Sequence, residues 1–126
     1  MRLGPDTLVH LPGDVGTCPY DRDAQKIGIV HFGIGAFHRA HPAWYTDCAM
    51  TAGDRDWGIC GVSLRSPDVA RQINPQGGLY TLTERQRDAA QTRVIGAVRE
   101  VLYAPDQAGA VITRLADPAC HIASFT

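Results

Sequence analysis

The chain has 126 residues, 44% of them hydrophobic and 20% charged, which suits one soluble domain with its own core. A formal net charge of −1 excludes a broad nucleic-acid surface, which needs a basic surplus. The longest apolar runs are far too short to span a bilayer and the opening stretch has no signal-peptide core, so the chain reads as cytoplasmic with no membrane partner.

Residues 1–25 carry Pro5, Pro12 and Pro19 among glycines and aspartates. They read as an irregular N-terminal arm with at most a short helical turn near 6–11. Residues 26–32 form an apolar, β-branched run that predicts a buried strand. Gly33 and Gly35 stop it. A helix is expected over 37–51, with Phe37, Ala40, Trp44, Tyr45, Cys48 and Ala49 as its buried face. Pro42 is tolerable there in a first turn. Residues 57–64 (WGICGVSL) read as a second apolar strand. Ser66-Pro67-Asp68 then opens a short helix over 68–73, with Ser66 as cap and Pro67 at its first position.

Residues 79–85 and 92–98 read as two strands of an antiparallel hairpin, joined by the polar loop QRDAAQ. Ala104-Pro105-Asp106 opens a further helix, which Asp117-Pro118 ends. Residues 121–126 begin one more strand. The order is arm, β, α, β, short α, hairpin, α, β. This predicts an α/β fold: a partial Rossmann-like, doubly wound sheet with an inserted β-hairpin, over residues 26–126. The final strand has no crossover after it, so the chain reads as a fragment whose exposed sheet edge invites self-association.

The sharpest motif is Gly33-x-Gly35-x-x-His38 at the strand end. Closely spaced glycines let the backbone turn tightly and approach an anion, and the following helix aims free N–H groups at it. Two glycines also fit a plain tight turn, and His38 replaces the third glycine of the dinucleotide fingerprint. Asp68 follows the second strand. It reads equally well as the carboxylate that accepts both ribose hydroxyls of NAD or as a charge favouring the start of its own helix. Arg65 could lie along an adenine or reach a phosphate, or be a solvated surface arginine. His38 and His41, with no carboxylate at ligand spacing, do not make a metal site. Trp44, Tyr45 and Trp57 read as core aromatics. Cys18, Cys48, Cys60 and Cys120 contain no C-x-x-C pair and read as reduced thiols.

GIGAFHRAH, then WGICGVSLR, GLYTLTER and RVIGAV, resemble the N-terminal domain of the polyol-specific long-chain dehydrogenases, the mannitol 2-dehydrogenase and fructuronate reductase family. The match runs over residues 26–126, and the FHRAH extension is its specific part. The resemblance implies an oxidoreductase with NAD as cofactor, held by Gly33, Ile34, Gly35, Ala36, Phe37, His38, Arg39 and Ala40. Asp68 would be the ribose contact, and Arg65 stands beside them as a candidate contact. Pro67 occupies a place where compared members often carry a second acidic residue. The implied chemistry is hydride transfer between a sugar alcohol or aldonate and NAD, with a lysine as general base in a C-terminal, helical substrate domain. Lys26 is the only lysine here and precedes the first strand, so no catalytic residue is assigned. The chain is expected to be the truncated cofactor domain, without that substrate domain and inactive alone. Two alternatives remain from the residues: a non-catalytic nucleotide-binding or assembly module lacking its catalytic partner, and a methyltransferase-like domain.

Overall fold

The apolar run after Lys26 becomes strand β1, Ile27–Phe32, in the computed structural model, which describes residues 1–126. Helices α1, Ala36–Ala40, and α2, Pro42–Thr51, follow it. Next come β2, Gly58–Ser63, and α3, Asp68–Ile73. Strands β3, Tyr80–Gln86, and β4, Ala89–Ile95, precede β5, Val98–Tyr103. Helix α4, Ala104–Ala116, leads to β6, Ile122–Phe125.

The main sheet has the order β5-β2-β1-β6, and each adjacent pair is parallel. β2 is buried along its whole length, which is why its sequence is continuously apolar rather than alternating. One face of the sheet packs Val30, Cys60 and Val62 with Leu102 and with Val111 of α4. Ile34, Ala43 and Met50 cluster with Ile59, Ile73, Ile95, Val98 and Val101 to form the larger core. The expected α/β order holds, with β3 and β4 as a separate antiparallel hairpin.

Three local expectations are corrected. The single helix over 37–51 is two helices, broken at His41 (φ −122°, ψ −80°). Pro42 lacks an N–H, its ring excludes the preceding helical turn, and it drives His41 out of the α region. The break turns α2 so that Ala43, Asp47 and Met50 are buried, as His38 is in α1, while Phe37 and Tyr45 are 64% and 65% exposed. Tyr45 is therefore not a core aromatic.

The hairpin is longer than predicted, since pairing runs on to Gln86↔Ala89 and leaves only Arg87 and Asp88 to turn. Both faces of that tip are exposed, so no apolar alternation marked it as strand. Finally, residues 92–98 are not one strand. β4 ends at Ile95, and Val98 opens β5, which joins the main sheet beside β2. Arg99 and Glu100 interrupt its apolar pattern, but both are paired: Arg99 with Asp23 at 2.8 Å, and Glu100 with Arg114 of α4.

The arm contains a 3-10 turn, Pro5–His10, and lies against the hairpin. Leu3, Leu8, Leu11, Val15 and Tyr20 pack around Cys18, Leu79 and Val94. Arg22, 8% exposed, donates to the carbonyls of Gly96, Gly77 and Val98 at 2.9, 2.8 and 3.0 Å. The cysteines form no disulfide, and no helix is long and apolar enough to cross a membrane.

Candidate cofactor-binding site

The carboxyl ends of β1, β2 and β6 meet at the glycine turn. Gly33 has φ +94°, a conformation that side chains beyond glycine rarely adopt. Its N–H donates to Val62 O at 2.8 Å, and its carbonyl accepts the Gly35 N–H at 2.7 Å. Gly35 is extended (φ −82°, ψ −172°) and α1 begins just after it. Ile34, 2% exposed, packs down onto β2, where a Cβ on Gly61 would come within 2.7 Å of Ile34 Cγ1. Gly61 thus permits the close loop-to-strand approach.

The turn leaves the amides of Ile34, Ala36, Phe37 and His38 with no acceptor in the protein. Such amides at the start of a helix favour an anion. Of these four residues Ile34 lines an open groove of about 450 Å³, with Gly33, Gly35, Ser63, Arg65, Val69 and Thr126, and the other three follow it at the start of α1. A larger hollow, about 670 Å³, lies by Lys26, Asp56, Arg114 and His121. It is at the opposite, amino-terminal edge of the strands, whereas ligands of parallel sheets bind outside the carboxyl edge.

The candidate residues are distributed unevenly. Gly33, Ile34, Gly35 and Arg65 line the groove. Asp68 is next to Val69, its side chain exposed and without a protein partner, while its N–H is held by Ser66 Oγ at 3.2 Å. Phe37 points outward against His41, with ring centroids 4.9 Å apart. Arg39 Nε reaches Gly35 O at 3.4 Å, and its carbonyl accepts the Tyr80 hydroxyl at 2.6 Å. Ala36 is exposed and Ala40 half-buried.

His38 lies beneath the turn rather than at the pocket mouth. It is 2% exposed, and its ring stacks on His31 at 3.7 Å and 15°. Burial, and then the neighbouring His31, push its pKa down to about 4. His38 and His41 therefore do not share a face. His31, Ser63 and Thr126 were not singled out from the sequence. Strand alternation from Ile29 was the available signal that His31 faces the α1 side.

The family model for the mannitol dehydrogenase Rossmann domain matches residues 27–125. The chain belongs to the mannitol dehydrogenase family. Mannitol 2-dehydrogenase of Pyrenophora tritici-repentis is 44% identical over 129 residues, covering 100% of this chain and 23% of that protein. The polyol:NADP oxidoreductase of Gluconobacter oxydans is 44% identical, covering 96% and 26%. The structure of the Pseudomonas fluorescens mannitol 2-dehydrogenase ternary complex with NAD and D-mannitol aligns with a TM-score of 0.93 at 42% identity, over 100% of this chain and 26% of that one. The chain thus spans about a quarter of the length of these mannitol dehydrogenase relatives, and its sheet is the Rossmann-type sheet of the family.

Proposed function

We propose that this chain is the NAD-binding part of a polyol oxidoreductase, with the glycine turn cradling the dinucleotide's pyrophosphate. The observation that carries this reading is the set of four unpartnered amides at the carboxyl edge of the sheet, beside an open groove. The residues fit the group: a Cβ on Gly35 would meet nothing closer than 4.0 Å, so phosphate oxygens can approach the backbone there. Ile34, Ala36, Phe37 and His38 offer N–H donors, Arg65 offers a cation on the groove wall, and Arg39 and Ala40 complete the helical turn behind them. The free carboxylate of Asp68 accepts hydrogen bonds from ribose hydroxyls and repels a 2′-phosphate.

NAD, when bound, supplies the hydride acceptor for oxidation of a secondary alcohol. The substrate class follows from relatives named for mannitol and polyols. Nothing in this groove moves a proton: the sole lysine, Lys26, lines the opposite hollow. Residues 26–126 are the cofactor unit, residues 1–25 are an arm docked on it, and the chain alone binds NAD without turnover. The free edge of β6 lets copies associate.

Titration with NAD, NADP and S-adenosylmethionine tests the reading. NAD should bind best, and Asp68→Ala should narrow the gap between NAD and NADP by about tenfold. Tighter binding of S-adenosylmethionine, an unchanged NAD/NADP ratio in the variant, or oxidation of mannitol by this chain alone would each count against the corresponding part.

A further inference from the structure

The carbonyl of Gly33 is the pivot of the turn, because it accepts from both sides. The Gly35 N–H reaches it at 2.7 Å and the Thr126 hydroxyl at 3.1 Å. A carbonyl can only accept, so the single hydroxyl proton of Thr126 is committed to it. Thr126 Oγ1 also lies 3.1 Å from His31 Nε2 and must therefore accept there, which places the ring proton of His31 on Nε2. A neutral imidazole carries one N–H. His31 Nδ1 is then bare and accepts the Ser124 hydroxyl at 2.7 Å. The stacked ring of His38 covers one face of His31 and fixes its plane. Burial lowers the pKa values of both rings, which keeps them neutral at physiological pH.

We propose that His31 is a positioning residue for the dinucleotide loop, ordering a hydrogen-bond path from Ser124 through Thr126 that pins the Gly33 carbonyl inward. With that carbonyl held, the neighbouring amides face the groove. The consequence for the ligand rests on the NAD reading above, but the path itself is a property of the protein.

Two variants separate these. Thr126→Val removes the hydroxyl at nearly constant volume, and Thr126→Ser restores it. Long-range proton–nitrogen NMR on the labelled chain should show His31 protonated on Nε2 and bare on Nδ1. Thr126→Val should shift the Gly33 carbonyl carbon resonance and weaken NAD binding about tenfold, the scale of one lost hydrogen bond in a preorganised site. Thr126→Ser should return both. Thr126→Val strips the acceptor from the buried His31 Nε2–H and should lower the melting temperature modestly, and Thr126→Ser should restore it. A proton on Nδ1, an unmoved Gly33 carbonyl, or wild-type NAD affinity in Thr126→Val would overturn the assignment. If the unmodified chain binds no NAD, the cofactor reading fails, while the tautomer and the carbonyl shift still decide the path.

Discussion

Gly33 concentrates two demands on one residue. At φ +94° an L side chain is strained, and a Cβ there would lie 3.0 Å from both the carbonyl oxygen and Oγ1 of Thr126. Gly33→Ala should cost about 1–2 kcal/mol in a urea melt. It should also reduce NAD affinity by more than that stability loss accounts for, as calorimetric titration would show. His38 makes a second residue-scale prediction. Its pKa falls from 6.5 to about 4 on folding, so below about pH 6.5 the unfolded chain binds a proton that the native state refuses. Stability is therefore full above that pH and is lost as pH falls toward the native value. Between pH 7 and pH 5 the loss from this residue should be about 2 kcal/mol. His38→Phe keeps a ring on His31 and should flatten that slope in melts across the same window. The strand-to-helix break at the turn glycines was legible because they are neighbours in the sequence, whereas the burial of His38 against His31 was not. Nor was His31 itself, since its hydroxyl partners lie 93 and 95 positions away.

At the scale of elements, the joints depend on buried polar groups more than on apolar pattern. Asp47 of α2 is fully buried and gathers the Tyr20 hydroxyl at 2.5 Å, Arg93 at 2.5 Å and the Gly96 N–H at 2.9 Å. It thereby ties the arm, the hairpin and the helix to one carboxylate. Burial, with Asp47 beside it, raises the Tyr20 pKa, so the phenol keeps its donor proton. Asp47→Ala would leave Arg93 and Gly96 unpaired and should destabilise by about 3 kcal/mol, measurable by denaturant unfolding. Nothing in the helical pattern marked Asp47 as inward, because a charged residue is read as exposed until its partners are known. Helix α3 and helix α4 were legible from their proline-led starts. β5 was not: its charges, paired with the arm and α4, hid a strand in what reads as loop.

For the whole molecule, β1 lies inside the sheet while β5 and β6 are its edges. Phe125 on β6 is 82% exposed and Ile122 44%, and the association proposed above would use that edge. Sedimentation equilibrium should show association that grows with concentration, and Phe125→Lys should reduce it. The alternation of strands and helices made the parallel sheet and its class readable, since each crossover needs a helix. It did not reveal how far the arm is built in, because Arg22 reaches three backbone carbonyls rather than a charged partner that sequence could suggest.

The Thr126-to-Gly33 bond also orders events in time. It closes across 93 positions, whereas the Thr83–Thr92 pair in the hairpin closes across 9. Contacts between distant positions carry the larger loop-closure entropy and form late in folding. The hairpin can therefore appear early, while the groove wall forms only once β6 has found β1. In refolding, hairpin structure should recover before the wall formed by β6 against β1, as stopped-flow measurements would show.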